Sequence, residues 1–153
     1  MRRLGPRYAA PLTRLLPGED GEVLRRRPDE HTWSALEYAC HVRDVFDTYG
    51  ARVARILAED EPVLDSMDRD ERPVRDRYNE QDPAVVAGQV ADRAAALAAA
   101  FESLAPEAWE RTAIHPYPEP APRSLAWMAR HVVHEGNHHL LDIGRVLRAA
   151  RGR

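Results

Sequence analysis

Cysteine occurs once in these 153 residues, at position 40, and lysine does not occur. A single thiol excludes an internal disulfide and a cysteine-based metal cluster. Without lysine there is no Schiff-base chemistry and no lysine general base; all 22 basic residues are arginine. Long apolar runs are missing too. None approaches the roughly 20 residues of a membrane-spanning helix, so no membrane partner is expected. The amino end, Met1-Arg2-Arg3-Leu4-Gly5-Pro6, is basic but has no apolar stretch behind it. It does not read as a signal peptide, and a cytoplasmic location is the expectation. Nor does one charge dominate: a formal net charge of -3, with both signs interspersed, leaves no electrostatic footprint for nucleic acid.

Apolar residues make up 44% of the chain and charged residues 31%. That balance supplies one core and one polar surface, so residues 1–153 are read as a single domain. Proline, glycine and aspartate punctuate four helical stretches. The first, over residues 7–16, presents Tyr8, Leu12, Leu15 and Leu16 at helical spacing, with Pro11 limiting it. The second starts at Ser34-Ala35-Leu36-Glu37, the pattern of a capping box, in which serine and glutamate satisfy each other's free backbone donors. Its apolar stripe runs through Tyr38, Val42, Val45, Tyr49, Val53 and Ile56 to about Glu59. Residues 60–82 form a long connection that wraps the bundle or lines a site. Asp82-Pro83 opens the third helix as cap and first helical residue, and it continues to about Leu104. His115 to Pro122 holds four prolines and is expected to be an extended crossover. The fourth helix spans about 124–150. The fold class expected is therefore all-α, a four-helix bundle with a long crossover before the last helix.

Chemistry concentrates in the last helix, at His131-Val132-Val133-His134-Glu135-Gly136-Asn137-His138-His139. Two pairs lie four residues apart, hence on shared faces. His134 and His138, with Glu135, spell H-E-x-x-H, the zinc-peptidase pattern. Glu135 and His139 form the other pair. Steps of three, four and seven from Leu125, Met128, Val132, Ile143 and Val146 land on Glu135 and His139, which places that pair on the core stripe. His134 and His138 fall on the polar flank with His131. A carboxylate inside a bundle is costly unless it is paired or neutralised, and a divalent cation removes the cost. His41 lies on or beside the buried stripe of the second helix and can complete a set with Glu135 and His139. Gly136 costs about 1 kcal/mol relative to alanine inside a helix, so a close backbone approach is expected there.

Trp33-Ser34-Ala35-Leu36-Glu37 leading to His41-Val42-Arg43-Asp44, together with Glu135-x-x-His138-His139-x-x-Asp142-Ile143, resembles the DinB-like superfamily. That group includes metal-dependent thiol S-transferases and mycothiol-dependent maleylpyruvate isomerase. The resemblance implies a helical bundle with three protein ligands, and Asp142-Ile143 sets their register on Glu135 and His139. Most members have histidine at the position of Glu135, whereas the isomerase branch has glutamate. By the same resemblance, His41, Glu135 and His139 hold a divalent metal, and two histidines with one glutamate suit zinc, nickel or iron. It further implies a mycothiol-like co-substrate, a small-molecule electrophile as partner, and a homodimer. Asp142 is then a candidate acceptor for a ligating imidazole N–H.

Three functions stand as expectations: a metal-dependent thiol transferase or isomerase; a non-enzymatic bundle that binds a small molecule or acts as a dimeric scaffold; and an H-E-x-x-H peptidase using His134 and His138. Cys40 is read as a small core residue, His131 as surface and His115 as loop. Trp33, Trp109 and Trp127 are read as packing at helix ends, and Tyr117 as a residue that could overhang the site.

Overall fold

The computed structural model describes residues 1–152. Four long helices carry the fold: α1 Leu4–Thr13, α2 Ala35–Ala58, α4 Pro83–Glu102 and α5 Leu125–Ala150, with a single helical turn, α3 Arg72–Arg75, between α2 and α4. The chain is mostly helical, in agreement with the all-α, four-helix reading. One small sheet departs from it. β1 Thr112–His115 pairs antiparallel with β2 Ala121–Ser124, in the register Thr112↔Ser124 to His115↔Ala121. The expected extended crossover is thus a hairpin. Pro122 fits because β2 is the outer strand and Ile114, opposite it, gives its N–H and carbonyl to residues 62–64, so that no N–H is needed from position 122.

The helix starts obey local chemistry. Ser34 accepts a hydrogen bond from the Glu37 N–H, and Glu37 reaches back to the Ser34 N–H at 2.9 Å. The same carboxylate takes the Arg27 Nε donor at 2.8 Å, so the first turn of α2 is tied to the segment before it. Asp82 caps α4 through the N–H groups of Ala84 and Val85. Ser124 caps α5 through the N–H of Trp127. α1 lies about three residues earlier than the sequence pattern suggests, ending at Thr13 with Pro11 inside it. Pro11 sits in the last turn. Leu15 and Leu16 are consequently exposed.

The core is built from α2, α4 and α5, with α1 laid across α4 and α5. α1 makes two close approaches. A Cβ on Gly5 would meet Ala91 Cα at 2.6 Å, and one on Gly136 would meet Leu4 Cδ1 at 2.7 Å and Phe46 Cζ at 3.2 Å. Tyr8, fully buried, donates its hydroxyl to the Gly136 carbonyl at 2.6 Å. The close approach expected at Gly136 is therefore present, and its neighbours are Leu4 and Phe46.

The expectation from the lack of a long uninterrupted apolar run needs one addition, a helix that is long and apolar enough to cross a membrane by length and composition. α4 passes that test, with a mean hydropathy of 1.3. Alanine accounts for it, and the helix buries Val86, Val90, Ala94, Leu97 and Phe101 where it packs on α1 and α2. The connection over residues 60–82 is tied to the hairpin by backbone bonds from Leu64 N to the Ile114 carbonyl and from Ile114 N to the Pro62 carbonyl. Tyr78, buried in the turn after α3, anchors the rest by donating to the Asp44 carboxylate.

Candidate metal centre and its cavity

α2 contributes His41 about two turns after its N-cap, Ser34, and α5 contributes Glu135 and His139 one turn apart. The ligand atoms of these three side chains all lie within 4.8 Å of one another. His41 is 6% exposed and His139 is 4% exposed, whereas the Glu135 side chain is half-shielded. The imidazole rings of His41 and His139 meet edge to face at 5.0 Å. This is the set that the sequence pattern groups, and it opens on a cavity of about 320 Å³.

Orientation within the set comes from Asp142. Its carboxylate lies 3.1 Å from His139 Nδ1, which therefore donates, and also takes Arg145 at 3.1 Å. With Nδ1 donating to Asp142, Nε2 is the ring atom left for the site, 3.5 Å from the Glu135 carboxylate. Hydrogen bonding to His139 holds the Glu135 carboxyl down to about 2. Burial, reinforced by the charge of His139, pulls His41 down to about 3. A neutral imidazole and an ionised carboxylate are the forms that bind a divalent cation. Two imidazoles and one carboxylate, with an open side, form the donor set of a three-ligand catalytic site. The residues fit such an ion.

The outer wall of the cavity is less legible in the sequence. His115 is not a loop residue: it ends β1, is 2% exposed, and lines the cavity. Its Nε2 lies 3.1 Å from Arg52 Nη1 and 3.1 Å from the Tyr49 hydroxyl. Arginine only donates, so Nε2 accepts, and Nδ1 carries the proton that it gives to the Tyr117 carbonyl at 3.1 Å. Burial pulls the His115 pKa to about 4, in agreement with that neutral form. His131 is not a surface residue either. It is half-buried, stacked on Trp127 at 4.6 Å, and faces the same cavity. Both departures share a cause. The helical wheel of α5 alone puts His131 on a polar flank, and no local pattern announces the hairpin that covers that flank.

Other expectations can be placed directly. Tyr117 lies at the cavity wall and is exposed. Cys40 is fully buried, and burial raises its thiol to about 12, so it is a core residue. Trp109 stacks on Phe101 at 5.9 Å, while Trp33 lies 5.1 Å from the His41 ring and so borders the site. His134 is exposed and absent from the cavity wall; His138 is exposed but reaches it. The structure thus does not bring His134 and His138 to a buried site, which the peptidase arrangement needs.

The profile of the DinB superfamily matches residues 7–143. Among solved structures, the chain is similar to YfiT from Bacillus subtilis, described as a probable metal-dependent hydrolase with an unusual four-helix bundle topology. The TM-score is 0.79 at 17% identity, over 96% of this chain and 83% of that one. At that identity the likeness concerns the fold. None of the curated proteins matches the chain.

Proposed function

This chain belongs to the DinB superfamily, and on that premise we propose that it is a metal-dependent enzyme that activates a low-molecular-weight thiol, mycothiol or a relative, for transfer to an electrophile or for isomerisation. The observation that carries the reading is the convergence of His41, Glu135 and His139 on one cavity. A divalent cation held by these residues would supply a Lewis acid that lowers the pKa of a bound thiol toward neutrality. The protein's own groups do the rest. Burial keeps the His41 imidazole neutral, and Asp142 fixes the His139 tautomer so that Nε2 points at the site. The hairpin and the 60–82 connection form the outer wall. In the transfer reaction the thiol loses its proton, a sulfur–carbon bond forms, and the leaving group departs with its bonding pair.

Hydrolysis is the second reading, favoured by the fold likeness to YfiT and by an open side that water can enter as readily as a thiol. Two measurements separate these possibilities. Elemental analysis of the purified protein should find about one zinc, nickel or iron per chain. His41→Ala, Glu135→Ala and His139→Ala should each lose it, whereas His134→Ala should keep it. Retention of metal in all three ligand variants would sink the site, and loss in His134→Ala would revive the peptidase register. The metal-loaded protein, given mycothiol and chlorodinitrobenzene, should release chloride and form the thioether. Turnover of a nitrophenyl ester without thiol, and none with it, would move the assignment to hydrolase.

A further inference from the structure

Arg52 is 6% exposed, lines the cavity, and has no carboxylate partner among the described residues. Its guanidinium donates to His115 Nε2 at 3.1 Å and to the Asp65 carbonyl at 2.7 Å, both neutral acceptors. The nearby Asp65 carboxylate points away: its side chain is 96% exposed and lies 3.7 Å from Arg55. A buried cation with no counter-ion carries a desolvation penalty that an anion arriving in the cavity would relieve. The guanidinium also lies over the Tyr49 ring at 5.1 Å; its two hydrogen bonds use two of the roughly five N–H donors of an arginine, so Arg52 has capacity left for an incoming oxygen.

Arg69 adds a second cation to the same wall. It lies over the Trp33 ring at 5.2 Å, beside His41, and makes no ion pair among the described residues. Against these two charges the cavity offers one carboxylate among the described residues, Glu135, which is committed to His139. The lining is cationic even before a metal ion is counted.

We infer that the substrate is a small oxyanion, carrying a carboxylate or a phosphate, whose charged end rests on Arg52 with Arg69 at the cavity edge and whose other end faces His41, Glu135 and His139. The inference names the substrate class of the site proposed above and rests on that cavity being the working one. Arg52 is a positioning residue as well as a contact. It holds the Asp65 carbonyl and His115 together, so an anion bound there would tie the 60–82 connection to the hairpin.

Calorimetry on the metal-free protein tests this without relying on metal or thiol. Succinate and inorganic phosphate are the anionic probes, and succinamide is the neutral match for succinate. At millimolar concentration at least one anion should bind, succinate at least about tenfold tighter than succinamide, as expected for one charge-assisted contact. Whichever anion binds more tightly identifies the headgroup. Arg52→Gln should weaken the anion by roughly ten- to hundredfold, Arg52→Lys should restore part of the loss, and Arg69→Gln should weaken it less. Circular dichroism reports folding; if Arg52→Gln does not fold, Arg52→Lys and Arg69→Gln decide. Equal binding of succinate and succinamide, unchanged binding in the arginine variants, or no binding of either anion would each overturn the inference. His41→Ala should lose metal and keep anion binding, so the two readings fail separately.

Discussion

At the scale of single residues, burial keeps the cavity imidazoles of His41 and His115 neutral, whereas Glu135 is kept ionised by its hydrogen bond to His139. His115 is the clearest case outside the ligand set. Its ordinary pKa of 6.5 falls to about 4 in the folded chain, chiefly through burial. The unfolded chain therefore binds a proton between those values that the folded chain does not, so stability rises with pH across this interval and is lost as pH falls from about 6.5 toward 4. Thermal unfolding of the metal-free protein over this range should show a falling midpoint. His115→Asn keeps a polar acceptor but has no titrating imidazole, so its decline should be shallower. Parallel declines in the two proteins would show that His115 is not protonated on unfolding in this window.

At the scale of elements, the contact between α1 and α5 rests on a missing side chain. Gly136→Ala would place a Cβ 2.7 Å from Leu4 Cδ1 and 3.2 Å from Phe46 Cζ. Leu4 can shift, but Phe46 is buried; overpacking of about 1–3 kcal/mol, less the roughly 1 kcal/mol that alanine gains over glycine in a helix, leaves a net loss of up to about 2 kcal/mol by denaturant unfolding. A net gain of about 1 kcal/mol, the helix propensity alone, would mean that α1 docks more loosely than its packing indicates. Elements of this kind are unevenly legible in the sequence. Ser34 and Asp82 announce α2 and α4, because caps act through bonds a few residues long. Glu135 and His139 can be grouped because their spacing is a property of one helix. The hairpin is not legible: its prolines suggest only extended chain, and nothing local indicates that Thr112–His115 pairs with Ala121–Ser124. His115, His131 and Arg52 become site residues only through that pairing. Nothing in the sequence sets Arg52 apart from the other arginines.

At the scale of the whole molecule, the proposed ion would join α2 to α5 at positions 41 and 135. A ligand that binds the folded chain alone stabilises it by about 2.7 kcal/mol at a free concentration one hundred times its dissociation constant. For a chain of this size each kcal/mol raises the unfolding midpoint by roughly 2–4 °C. Saturating metal should therefore raise the midpoint by several degrees, and a chelator should reverse the rise. His41→Ala should show neither effect. An unchanged midpoint in the wild type would argue against an ion that spans the two helices.

The doubly bonded first turn of α2 reaches further than its own stability. Glu37 answers to Ser34 on one side and Arg27 on the other, four residues before His41. If α2 began a single residue later with its pairing shifted, every side chain along it would swing by about 100° around the axis, and the imidazole would leave the cavity. The serine and glutamate thus set the angular phase of a donor they never touch.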